Sequence, residues 1–114
     1  MMKKITTLSV LAFLSIVMVN CSSAKKTASI PGSSTATPEV RVAEARKMYT
    51  EAQMGEGKRV WESNCARCHK LFTPESRDVD KWEAVLPRMV KRSKLTDEQA
   101  GMVRAYLITH AKGV

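Results

Sequence analysis

Cys65-Ala66-Arg67-Cys68-His69 is the stretch on which the reading of this chain turns. It places two thiols three positions apart, with an imidazole directly after the second. The sequence on either side of it is patterned as helix. On the N-terminal side, Thr37-Pro38-Glu39 opens a helix with a capping hydroxyl, a proline in the first turn and an early acid. Val42, Ala45, Met48, Tyr49 and Ala52 follow at helical spacing. Gly55 and Gly57 are expected to interrupt this helix or to mark a close backbone approach. Helix then resumes from Lys58 to Asn64, with Val60, Trp61 and Asn64 toward one side. On the C-terminal side a helix is predicted from Asp80, because Trp82, Val85, Leu86, Met89 and Val90 fall at i, i+3, i+4, i+7 and i+8. Pro87 removes a backbone donor and crowds the preceding turn, so it should kink or shorten that helix. A last helix is announced by the capping box of Thr96 and Gln99, with Leu95 and Ala100 as a hydrophobic staple. Val103, Tyr106, Leu107 and His110 share one of its faces, and Gly113 is its expected stop. The segment from Glu39 to Val114 contains no convincing strand, and the fold class is therefore read as all-α.

Such a domain has 76 residues, a size at which a hydrophobic core alone is marginal and a metal, cofactor or disulfide commonly completes it. The opening motif supplies a candidate. C-x-x-C-H is the arrangement of c-type haem attachment. Two thiols at this spacing can each add to one of the two vinyl groups of a haem, and the adjacent histidine then directs its imidazole at the iron. Cys65 and Cys68 are accordingly the expected attachment sites of one haem c, and His69 its proximal ligand. Two other chemistries use similar residues. A zinc ribbon needs a second pair of ligands, and Cys21 and His110 are the only further Cys or His. A redox-active C-x-x-C pair usually opens a helix after a strand, and no strand is evident.

Composition narrows the function classes. Of the six aromatic residues only Phe13 precedes Tyr49, so the folded part has too little large apolar material for a second core or a multi-domain enzyme. An odd count of three cysteines excludes a framework built from disulfides alone. The net charge is +8, but acids are interleaved with the cations, whereas nucleic-acid binders concentrate positive charge in a stripe. No nucleic acid is expected as a partner.

The first forty residues read as targeting and tether. Lys3 and Lys4 precede an apolar run from Leu8 to Val19, the pattern of a secretory signal peptide and too short to span a bilayer comfortably. Val17-Met18-Val19-Asn20-Cys21 resembles a bacterial lipobox, with Met18 and Asn20 where leucine and a small residue are usual. The resemblance implies a lipoprotein-type signal peptide over residues 1–20 and lipid attachment at Cys21. Cleavage after Ala24, leaving a soluble exported protein, is the alternative. Residues 21–38, rich in Ser, Thr, Ala and Lys, with Ile30 the only large apolar side chain beyond Cys21, are expected to be a flexible tether. The domain occupies residues 39–114, on the periplasmic or cell-surface side of a membrane.

From Gly55 to Leu107 the chain resembles the small monohaem class I cytochromes c. Gly57, Val60, Trp61 and the Cys65–His69 motif match that family's N-terminal helix and haem site. The resemblance implies a tight crossing of Gly57 with Tyr106 on the C-terminal helix, and a Pro74 carbonyl that accepts the N–H of the proximal imidazole. It also implies Met89 as the distal iron ligand, from Trp82 with a methionine seven residues on, ahead of Leu95-Thr96-Asp97. Met48, Met54, Met102 and His110 are the other possible sixth ligands. A closed His/Met site suits a monomeric one-electron carrier rather than an enzyme, with no catalytic residue. Its expected partners are redox proteins, which the basic cluster Arg88, Lys91, Arg92 and Lys94 would steer if their surfaces are acidic. The alternatives are a haem-based gas or redox sensor and a haem subunit of a larger oxidoreductase complex.

Overall fold

The computed structural model describes residues 35–114. The expected signal peptide, Cys21 and most of the tether lie outside the described residues. Four α-helices follow one another: α1 (Pro38–Met48), α2 (Glu51–Val60), α3 (Val79–Ser93) and α4 (Asp97–Thr109). A π-helical turn, Trp61–Cys65, extends α2 into the motif, and a 3-10 turn, Pro74–Ser76, precedes α3. No strand is present among the described residues, as the all-α reading requires. None of these helices is long and apolar enough to cross a membrane.

The break between the first two helices falls earlier than the glycines suggested. Thr50 forms a capping box with Gln53: its hydroxyl accepts from the Gln53 N–H at 3.2 Å and its own N–H donates to Gln53 Oε1 at 2.9 Å. Helix α2 therefore starts at Glu51 and runs unbroken through Gly55 and Gly57. Glycine inside a helix costs about 1 kcal/mol against alanine, and Gly57 has a packing reason to be there. A Cβ built on it would lie 2.1 Å from the Met102 carbonyl oxygen of α4. The two helices thus cross backbone to backbone at this point. Tyr106 lies one turn further along α4, where its ring meets Trp61 at a centroid distance of 5.7 Å.

Helix α4 is the centre of the fold. From Ala100 to Thr109 every residue except Tyr106 is buried, because α1, α2 and α3 all pack against it. A helix surrounded in this way has no single apolar face, which is why the one-face pattern expected for it underdescribes its burial. Its capping box is formed as expected, with Thr96 accepting from Gln99 N–H at 3.2 Å. It ends at Thr109 rather than at Gly113, since the Thr109 hydroxyl donates to the Ala105 carbonyl at 2.7 Å and His110 follows as the C-cap. Gly113 adopts φ +83° in the turn beyond.

Helix α3 begins where Asp78 accepts from the Lys81 N–H at 2.8 Å. It passes through Pro87 without ending, so Pro87 does not shorten it. Two ion pairs hold it in place. Arg104 of α4 grips the Glu83 carboxylate through two nitrogens, both side chains largely buried. Arg41 of α1 pairs with Asp80 at its first turn. Its C-terminal end is a Schellman turn, with Leu95 N–H on the Val90 carbonyl and Lys94 N–H on that of Lys91. Lys94 takes φ +52°, a left-handed conformation normally filled by glycine.

Candidate cofactor site

The α2–π-turn rod, the loop after it and the apolar stripe of α3, with Leu107 of α4, enclose a cleft of about 220 Å³. Cys65, Cys68, His69 and Met89 all line it. Its apolar walls come from Trp61, Leu71, Phe72, Trp82, Leu86 and Leu107, and its cationic edge from Arg77, Arg88 and Arg92. The order of elements explains the convergence. Crossing α4 at Gly57 fixes the rod, so the π turn delivers Cys65 to the side where α3 passes. The wider turn frees backbone carbonyls, and two side chains reach back to them: the Ser63 hydroxyl donates to the Arg59 carbonyl at 2.8 Å and Asn64 Nδ2 to that of Val60 at 3.0 Å. π turns of this kind concentrate at functional sites.

The possible sixth ligands separate cleanly by position. Met89, half-buried, shares the cleft with the motif. Met54 is buried, with its sulfur 3.5 Å from the Thr109 hydroxyl. Met102 is buried in α4, and Met48 is exposed at the end of α1. His110 is exposed, its Nδ1 2.8 Å from the Tyr106 carbonyl and its ring tilted against Tyr106 at a centroid distance of 4.8 Å. None of these four lines the cleft.

Cys65 and Cys68 are free thiols. Burial pushes the Cys65 thiol up, against an opposing hydrogen bond with Ser93, while Cys68 is exposed. The expected Pro74 contact is not formed to the imidazole. The Pro74 carbonyl instead accepts from the Trp82 indole N–H at 2.8 Å, and His69 Nδ1 lies 2.7 Å from the Lys70 carbonyl. The reason is local: the loop from Lys70 to Thr73 is short, so Pro74 arrives beneath the first turn of α3 and meets Trp82 there.

Arg77 is the site residue that sequence reasoning missed. Its guanidinium lies over Phe72 at 4.6 Å and over Trp82 at 5.6 Å. Its Nε is buried and has no hydrogen-bond partner. Only the tertiary fold brings it to the cleft, since it stands in the loop that precedes the α3 cap. A buried donor without a partner costs about 1–3 kcal/mol, and a ligand with an acceptor would relieve that cost. Two thiols, an imidazole, a thioether, aromatic walls and an unpartnered arginine could thus hold a flat, largely apolar group with anionic substituents.

Comparison of the chain with models of known families, with curated proteins and with solved structures finds no match.

Proposed function

We propose that this chain is an extracytoplasmic monohaem cytochrome c that carries single electrons between redox proteins. One observation carries the reading: of the five possible distal ligands, Met89 alone lines the cleft that holds Cys65, Cys68 and His69. Cys65 and Cys68 would hold the haem through thioether bonds, with His69 and Met89 as its axial ligands. When bound, that group supplies an iron that exchanges one electron between two oxidation states. The chain's own part is to keep the exchange cheap. Met89 comes from α3, which packs against α4, and the motif follows directly on α2, which does the same. Trp61, Trp82 and Leu86 exclude water from the inner wall. A thioether donor favours the reduced state more than a second imidazole would, so the potential is expected in the upper range for haem proteins. No residue is assigned a catalytic step, and the protein is proposed as a monomer that is not an enzyme.

The anchor belongs to the same proposal. Cys21 would carry lipid and keep the domain at the membrane from which its partners work. The deciding experiment is a pyridine haemochrome spectrum of protein matured with the haem-attachment machinery. A c-type spectrum that disappears in a Cys65→Ser, Cys68→Ser double variant supports the assignment. A chain that matures without haem overturns it. The mass of the mature N-terminus tests the anchor separately: an acylated Cys21 is expected, and an unmodified start at Lys25 would exclude it.

A further inference from the structure

The two walls of the cleft take their places on neighbouring residues of α4. On one side α2 is seated where Gly57 meets the Met102 carbonyl, with no room for a Cβ between them. On the other side α3 is tied to Arg104, two residues further along α4. The Arg104 guanidinium donates to both carboxylate oxygens of Glu83, its Nε lying 3.1 Å from Oε2. Water has little access to this pair, with 7% of the Arg104 side chain and 13% of that of Glu83 exposed. Among the described residues no other side-chain hydrogen bond or ion pair joins α3 to α4. The buried residues of α3, Val79, Trp82 and Leu86, are all apolar.

Apolar burial is non-directional, so it presses two helices together without fixing how one is turned about its own axis. A buried ion pair does the reverse. It is a poor stabiliser, because desolvation offsets most of its attraction and apolar residues of similar volume often serve as well. What it adds is direction, since the planar guanidinium fork holds a carboxylate at two points. Helix α3 continues from Glu83 through Pro87 to Met89 without a break, so a turn of the helix at Glu83 is carried to Met89. We infer that Arg104 and Glu83 are positioning residues for the distal ligand: they fix the rotation of α3 on α4 and so keep Met89 turned into the cleft. The inference rests on the proposed ligation by His69 and Met89, and names what holds the second ligand in register with the first.

The test uses the haem-bearing mature chain in its ferric state, with Glu83→Met and Arg104→Met introduced together so that no buried charge is left unpaired. Three quantities are read: the denaturant midpoint, the near-infrared methionine–iron band, and the affinity for added imidazole, which competes for the distal position. The midpoint is expected to stay close to that of the parent, while the band weakens and imidazole binds about tenfold more tightly. Arg104→Lys keeps the charge but loses the second point of attachment, so it should fall between parent and double variant. Breaking the other interhelical pair of α3, by Arg41→Met with Asp80→Asn, should leave imidazole affinity within about twofold. A double variant with the parent's band and imidazole affinity overturns the inference. So does an equal shift from the Arg41 and Asp80 changes, or a band that fades only in step with the midpoint, which would make the pair an ordinary stabiliser. Should the double variant fail to fold, Arg104→Lys decides alone, and parent-like behaviour there overturns the inference. A chain without a c-type spectrum, or a parent without the methionine band, fails at the ligation itself and takes the inference with it.

Discussion

Met89 and Cys65 are the residues at which the chemistry of the site can be tried one side chain at a time. A thioether bound to ferric haem gives a weak near-infrared band, so under the proposed ligation Met89→Ala should abolish that band and lower the reduction potential. If both stay as they are, the distal ligand is elsewhere. The same substitution in Met102 is expected to leave the band intact, because that side chain is buried in α4 and does not line the cleft. Cys65 offers a pH readout in the chain before attachment. Its thiol is pushed up by burial, and the Ser93 hydrogen bond only partly offsets this. A folded-state value above the unfolded one, about 8.5, means that the contribution of Cys65 to stability is complete below the unfolded value. It is lost as pH rises through the folded one. In a Cys68→Ser variant, alkylation of Cys65 should therefore show its inflection above the ordinary thiol range. An inflection at or below that range would mean that the side chain is not buried as described. Once both thioethers have formed, this alkaline sensitivity should be gone.

Helices α2 and α3 show how far the pattern of a sequence reaches and where packing takes over. The capping box at Thr96 and the apolar stripe of α3 are local signals, and the structure keeps each where the pattern put it. The break at Tyr49–Thr50 was equally local, in the Thr50 and Gln53 pair, but two glycines further on gave the louder signal. Gly57 was legible as a close approach. Its partner was not, because register between two helices is set by everything packed around them. The Cβ of alanine at Gly57 would lie 2.1 Å from the Met102 oxygen, so Gly57→Ala must push α2 off α4. A loss of about 1–3 kcal/mol is expected, as for overpacking in general, and with it misplacement of the π turn and poorer haem attachment. Denaturant unfolding with and without haem checks both. Lys94 is the opposite case. It holds φ +52° at the end of α3, where a side chain costs about 1–2 kcal/mol relative to ordinary backbone. Lys94→Gly should raise stability by about 0.5–1 kcal/mol after the entropy of glycine in the unfolded chain is allowed for. An unchanged or lower midpoint would mean that the turn is not left-handed.

For the molecule as a whole, the proposed electron transfer makes the sorting of charge a question of rate. The sequence shows acids and cations interleaved, and in that form the net charge says little about direction. Folding draws five acids into ion pairs and leaves the cleft rim positive. Arg77 could not be assigned to that rim from the sequence, since its neighbours in the chain, Ser76 and Asp78, give no sign of it. A field concentrated at the mouth of the site steers anions toward it and cations away, and the effect decays over a Debye length of about 10 Å at 0.1 M salt. Electron transfer to a small anionic oxidant should therefore slow as salt is added, while transfer to a cationic oxidant of similar size should quicken. Charge on the far side of the molecule would move both rates weakly. The two slopes should have opposite signs in the parent, and both should flatten when Arg88 and Arg92 are replaced by Gln. Stopped-flow rates over a range of ionic strength measure all four. Slopes of the same sign for both oxidants would mean that electrons leave by some other face, and the positive rim would then be no more than a solvated helix surface.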